Sequence, residues 1–424
     1  MINFKSYILS GFISLSFLGS FAQNSLSTSV PASAKVSADR LLRIDKMIQE
    51  NIDKKLISGA IAFIARDGKV VYNKAFGYSD IDSKTALLNT DIFRIASQTK
   101  AITSVAVMML FEEGKFLLDD PISKYIPAFA KPVVLDQFNA KDSTYTTVPA
   151  KREVSIRDLL THTSGIDYAV IGSEKMRAIY AKSVIPPGFG STGILLQTEI
   201  EKLGKLPLLH QPGERFTYGL NTDVLGYLVE VTSGMSLDRF FQERIFKPLG
   251  MKDTYFHLPA AKQARLIPVY TYDNQNRLVK YERNGVITAD YPVKNQTYFS
   301  GGAGLSSTVI DYANFLQMLL NKGVYNGQRL LSRRSVDLMT MNQIGDINLG
   351  GGDKFGLGFQ ITSKQSMSKL GVTEGTFAWG GYFGTTYWVD PAEKLVGMIF
   401  IQQSPLKTNI HDRFKALVYQ SLND

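Results

Sequence analysis

The hydrophobic positions of this chain change period several times, and each change marks an element. From Ser37 on, "SADRLLRIDKMIQENIDKKL" carries apolar residues three and four apart, which predicts an amphipathic helix with Ser37 as its N-cap. "GAIAFIARDGKVVYNKAFGY" then alternates around Asp67-Gly68, which predicts a hairpin turning at that dipeptide. A long apolar helix follows, opened by Ser97, in "RIASQTKAITSVAVMML". From roughly 150 to 260 the pattern is helical, as in "SIRDLLTHT" and "NTDVLGYLVEVTSG", with Gly/Pro joints such as "VIPPGFGSTG". "TVIDYANFLQMLLNKG" predicts one more amphipathic helix, ending at Gly323. "FGLGFQITS", "GTFAWGGYFGTTYWVDP" and "KLVGMIFIQQ" predict successive antiparallel strands, and "NIHDRFKALVYQSL" a closing helix.

Strands at both ends and helices between them predict one sheet built from the two termini. The expected fold class is α/β of the α+β type: an antiparallel β-sheet flanked by helices, with an inserted all-helical lobe. The sheet is expected from about 37–100 and 345–424, within a domain spanning 37–424. Residues 23–36, "QNSLSTSVPASAKV", are Ser-rich and aperiodic, which predicts a flexible leader. Residues 1–22 have an early Lys5, an apolar run and the small-residue ending Ser20-Phe21-Ala22, the pattern of a secretory signal peptide cleaved before Gln23. The run is short for a membrane span, and no later segment reads as one. The expectation is an exported protein, periplasmic or extracellular, with no stable membrane span after cleavage. Its oligomeric state is not encoded in any pattern found.

Composition narrows the chemistry. Net charge is +9, from 47 Lys and Arg against 38 Asp and Glu, but the basic residues are scattered without aromatic interleaving. That argues against nucleic acid as a partner. Cysteine is absent, which excludes disulfides, a thiol nucleophile and thiolate metal sites. The four histidines, His162, His210, His257 and His411, show no metal-ligand spacing. No cofactor and no metal are expected.

Against that background, Ser97-Gln98-Thr99-Lys100 stands out. Residues three apart share one face of a helix, so Lys100 can reach Ser97. Near a helix N-terminus and partly buried, an ammonium is disfavoured, and a neutral amine takes a proton from a hydroxyl. A charged one instead lowers the pKa of a nearby phenol, and either role activates a serine. The plain alternative is a capping serine and a surface lysine. The tetrad recurs at Ser366–Lys369 in a polar loop and at Ser404–Lys407, where Pro405 suits an ordinary helix start. Only Ser97 leads into a helix apolar enough to bury the pair. Tyr218, just before a helix beginning near Asn221, is a candidate base, since a phenol serves as one only beside a cation. In "AWGGYFGTTYWVDP", Trp379 can wall a pocket, and an amide just after Gly380 and Gly381 can donate to an oxyanion. There is no G-x-S-x-G nucleophile elbow and no Walker A loop, and a Ser-His-Asp triad would have to use His162.

"FRIASQTKAIT", "DDPISKYIPAF", "SIRDLLTHTSGI", "PGERFTYGLNTDVLGYLVEVTSG", "GGAGLSSTVIDYANFLQMLLNKG" and "WGGYFGTTYWVDP", in this order, resemble the serine β-lactamase-like superfamily, in its class C and related-esterase branch. The resemblance covers nearly the whole chain after Val36. It implies a β-lactamase/transpeptidase-like fold, with Ser97 as the acylated nucleophile, Lys100 as its partner and Tyr218 as the base. It also implies an oxyanion hole from the backbone N–H groups of Ser97 and Tyr382, and substrate contacts from Trp379, Gly380, Gly381, Leu220 and Asn221. Two departures matter. Trp379-Gly380-Gly381 stands where lactamases carry Lys-Thr-Gly, removing the cation that faces a substrate carboxylate. Tyr218-Gly219-Leu220 replaces Tyr-x-Asn, with Asn221 one place late. Both changes favour a carboxylesterase acting on small or apolar esters. Acyl transfer to an alcohol ranks next, then β-lactamase or D-amino-acid peptidase activity. A non-enzymatic envelope-binding protein is the alternative of a different class.

Overall fold

The computed structural model describes residues 25–191, 193–281 and 288–423. The segment expected to be cleaved on export lies outside them. Helix α1 (Ala38–Asp53) begins as expected, with the Ser37 side chain accepting from the Arg40 amide. Strands β2 (Gly59–Arg66) and β3 (Lys69–Asp80) turn back through Asp67 and Gly68, both at positive φ. They join β1 (Ser27–Thr28), β4 (Thr85–Ala86), β5 (Lys354–Phe355), β6 (Gln360–Ile361), β7 (Phe377–Gly380), β8 (Thr385–Asp390) and β9 (Leu395–Phe400) in one sheet. Its order is β1-β3-β2-β9-β8-β7-β6-β5, with β4 beside β3, so the two chain ends meet where β9 pairs with β2.

Strand β2 is buried on both faces, which explains its unbroken apolar run. Ala60, Ala62 and Ile64 face a cluster with Leu41, Ile44 and Ile48 of α1. Ile410, Phe414 and Val418 of the closing helix, Ile410–Gln420, join the same cluster. Ile61, Phe63 and Ala65 point the other way, into the main core. That core holds α2 (Thr99–Glu112), whose residues 99–110 are all buried. A helix apolar on every side is one packed on every side. It runs between the sheet and the helical region, against α3 (Asn221–Ser233).

Three expectations are corrected. Residues 25–36 do not form a free leader: Ser27 and Thr28 pair in parallel with Lys69 and Val70, and Val36 bridges Leu422. Ala34 and Val36 are buried, and backbone pairing of this kind leaves no trace in a Ser-rich composition. The parallel β1 also means that the sheet is not wholly antiparallel. The inserted region is not all-helical either. Val133–Asn139 and Thr144–Pro149 form a hairpin whose second strand is exposed throughout, and Tyr270–Tyr272 pairs with Leu278–Lys280. Small polar-faced hairpins lack the apolar alternation that reveals a strand of the main sheet.

Candidate active site

Ser97 does not open α2 itself but sits just ahead of it, in a 3-10 segment spanning Ala96–Gln98. Ala96 has φ 43°, a region that costs a residue with a Cβ on the order of 1 kcal/mol or more. Tertiary contacts hold it there: the Ile95 amide donates to Leu305 O, and Ala96 packs in a cluster with Phe189, Tyr291, Ala303 and Phe383. The kink leaves Ser97 half-buried between two buried neighbours.

Lys100 follows on the first turn of α2 and is 2% exposed. Its Nζ donates to Gly302 O at 2.7 Å, to Tyr168 Oη at 2.8 Å and to Ser97 Oγ at 3.5 Å. Three acceptors for three N–H groups suit an ammonium. The same Nζ lies 4.7 Å from the centre of the Tyr218 ring. Tyr218 donates to Ser97 Oγ at 2.7 Å and receives the Trp379 indole N–H at 3.4 Å. The Trp379 ring, 5.4 Å from that of Tyr218, is itself braced by Phe355. Ser97, Lys100, Tyr218 and Trp379 are thus drawn together from the 3-10 segment, α2, the approach to α3, and β7.

Gly381 shows how close β7 comes to the nucleophile. A Cβ there would stand 2.4 Å from Ile95 O and 2.4 Å from Thr385 Oγ1, so no side chain fits. Gly380 pairs with Thr386, and the Gly381 amide donates to Thr385 O. The next amide, that of Tyr382, has no hydrogen-bond partner among the described residues. The Tyr382 ring is 46% exposed and lies beside Phe189 and Phe383.

Leu220 and Asn221 do not join this surface, contrary to expectation. Leu220 is 1% exposed and packs against Gly188. Asn221 is fully buried; its Oδ1 accepts from Ser164 Oγ, and its Nδ2 donates to His162 Nδ1 at 3.0 Å and to Ile166 O at 3.4 Å. Lying at the first position of α3, it turns inward to brace the "HTSGI" loop rather than outward to a ligand. His162 forms no triad. Its Nδ1 is taken by Asn221, its ring lies 5.0 Å from that of Tyr218, and burial, then the Lys100 charge, pushes it well below the ordinary imidazole range. A neutral imidazole there is part of the wall that fixes the Tyr218 ring.

Two participants were missed. Tyr168, in "SGIDYAV", is buried, accepts from Lys100 and lies 5.3 Å, ring to ring, from Tyr218. Burial, with the charges of Tyr218 and Asp223, raises its phenol well above 10, so it serves Lys100 as a neutral acceptor. Gly302 supplies the other strong acceptor. Only the "SGGAGLSS" glycine run hinted at it, and glycine is needed because a Cβ would stand 2.5 Å from Asp223 Oδ2.

Comparison with known proteins bears on the chain as a whole. The profile of the Beta-lactamase family matches residues 44–420. Protein Rv1367c of Mycobacterium tuberculosis is 36% identical over 370 residues, covering 84% of this chain and 89% of that protein. Esterase EstB of Burkholderia gladioli is 28% identical over 371 residues, covering 84% and 88%. Among solved structures, EstCE1, described as a hydrolase with promiscuous acyltransferase activity, superposes with a TM-score of 0.77 at 24% identity, covering 91% of this chain and 98% of that one.

Proposed function

Because the chain belongs to the Beta-lactamase family of serine hydrolases, we propose that it is an exported carboxylesterase that cleaves small or apolar esters through an acyl-enzyme on Ser97. The observation that carries the reading is the 2.7 Å hydrogen bond between Tyr218 and Ser97 beside a buried Lys100. An ammonium next to a phenol stabilises the phenolate, and a phenolate in contact with a hydroxyl is a base for it. With Tyr218 as the phenolate, the Ser97 proton passes to its Oη as Oγ bonds to the ester carbonyl carbon. The amides of Ser97 and Tyr382 receive the developing oxyanion. The C–O bond to the alcohol then breaks, and Tyr218 returns the proton to the departing alkoxide. Water repeats the sequence: it loses a proton to Tyr218, attacks the acyl carbon, and Ser97 leaves with that proton.

Esters are preferred to anionic amides because of what lines the approach. Trp379 and Tyr382 offer partly exposed rings, backed by the buried Phe355 and Phe189, and Trp379 occupies the strand position where lactamases carry a lysine. An apolar wall returns little to a substrate carboxylate for its lost water. The likeness to an esterase, EstB, supports the same choice. Export rests on the N-terminal pattern of residues 1–22.

The experiment is intact-mass analysis of purified protein treated with p-nitrophenyl butyrate or a fluorophosphonate, alongside Ser97→Ala. A mass increase of one acyl or phosphonyl group on the wild type, absent from Ser97→Ala, is expected together with loss of turnover. An envelope-binding protein would show no adduct. Turnover by Ser97→Ala at the wild-type rate would end the proposal.

A further inference from the structure

The mechanism above leaves unused a buried charge that lies beside Lys100. Asp223, on the first turn of α3, is fully buried. Its Oδ1 accepts from Ser300 Oγ at 2.7 Å. Its Oδ2 packs on the glycine turn, where a Cβ on Gly302 would stand 2.5 Å from Oδ2 and 3.4 Å from Lys100 Nζ. Carboxylate and ammonium therefore flank the same glycine, whose carbonyl accepts from that Nζ at 2.7 Å. Gly188 backs Oδ2 from a third side.

The groups facing Asp223 are few. Lys100 comes from α2, Tyr168 from the loop after His162, and Tyr298 from the segment before Ser300, with Glu199 beyond Tyr298. Burial raises the Asp223 carboxyl to about 6, and the Ser300 hydrogen bond and the Lys100 charge keep it from rising further. Burial first, and then the Asp223 charge, raises the Tyr298 phenol well above 10, and Tyr168 is raised too. Lys100 is the cation whose charge acts on Asp223, across the Gly302 turn and without a direct ion pair.

We infer that Asp223 is a positioning residue: its buried carboxylate holds Lys100 as an ammonium against the Gly302 carbonyl, and so keeps Tyr218 aligned on Ser97. This rests on Ser97 being the acylated residue. A buried charge without a counter-charge is costly to hold in place, so without Asp223 the Lys100 side chain is held less firmly against Gly302 and Tyr218 and stabilises the phenolate less.

The test uses Asp223→Asn, isosteric and neutral, and Ser300→Ala, which removes a donor to the carboxylate. kcat, KM and the rate of fluorophosphonate labelling at Ser97 are followed from pH 5 to 9. In the wild type, kcat/KM should fall below about pH 6 as Asp223 takes a proton. Asp223→Asn should lose at least about tenfold in kcat at pH 8 with KM little changed. It should lack the limb near pH 6. Ser300→Ala should move the acid limb to higher pH, since the anion has lost a hydrogen bond. Variants whose profiles superimpose on the wild type after scaling would overturn the inference and leave a purely structural aspartate. Should Asp223→Asn not fold, an unmoved acid limb in Ser300→Ala has the same force. An unlabelled wild type overturns the hydrolase reading and this inference together; a labelled wild type with unshifted variants overturns this inference alone.

Discussion

Replacing Tyr218 by Phe separates the two candidate bases. The substitution removes one oxygen and keeps the ring, so the contacts with His162, Tyr168 and Trp379 survive. What is lost is the 2.7 Å hydrogen bond to Ser97 Oγ and the acceptor for the Trp379 indole. Lys100 is badly placed to substitute. Its Nζ is 3.5 Å from Oγ and is already committed to Tyr168 and Gly302 at 2.8 and 2.7 Å. A positioned general base contributes roughly 10²–10⁴ in rate. The expected loss in kcat is therefore about 10³-fold, on the order of 4 kcal/mol in the barrier. KM should stay within about threefold, because the apolar surface that receives the ester is unchanged. One lost, half-exposed hydrogen bond should lower stability by no more than about 1 kcal/mol. Stopped-flow release of nitrophenol from p-nitrophenyl acetate reports acylation as a burst and deacylation as the steady rate. Both should slow, since Tyr218 handles the proton in each step. A kcat loss under about tenfold would refute the reasoning and transfer the base role to Lys100 acting across its longer contact.

Two further substitutions examine the frame around the triad. Asn221→Ala leaves Ser164 Oγ and His162 Nδ1 without their partner in the interior, which should cost about 2–4 kcal/mol in a denaturant titration while leaving KM unchanged. A tenfold rise in KM without loss of stability would restore Asn221 to the substrate surface. Gly381→Ala forces a Cβ to within 2.4 Å of Ile95 O and Thr385 Oγ1, so the Tyr382 amide must shift. A displacement approaching 1 Å should cut kcat/KM by about 10²-fold with the circular dichroism spectrum retained; a wild-type rate would remove Tyr382 from the oxyanion hole.

Much of this site could be read before any coordinates. The S-x-x-K tetrad before a uniformly apolar helix, a tyrosine just ahead of a helix start and a glycine pair after a tryptophan are local patterns, and local patterns survive in a linear text. Leu220 and Asn221, which the resemblance put among the substrate contacts, are buried instead. They adjoin Tyr218 in sequence, but the first turn of α3 points them inward, Asn221 to His162 and Ile166 and Leu220 to Gly188. Adjacency along a chain says nothing about which side of a helix terminus meets the ligand.

By itself, the sequence determined the sheet built from both ends, the buried central helix and the pairing of Ser97 with Lys100, because these follow from the period of apolar residues and from a spacing of three. Tertiary structure alone decided which oxygens surround Lys100. Tyr168 is 68 residues away and Gly302 is 202, and the Tyr218 contact to Ser97 spans 121. Contacts at such separations are set by how the interior closes. Burial of the Lys100 ammonium requires acceptors, and the fold supplies them from wherever the backbone comes near enough.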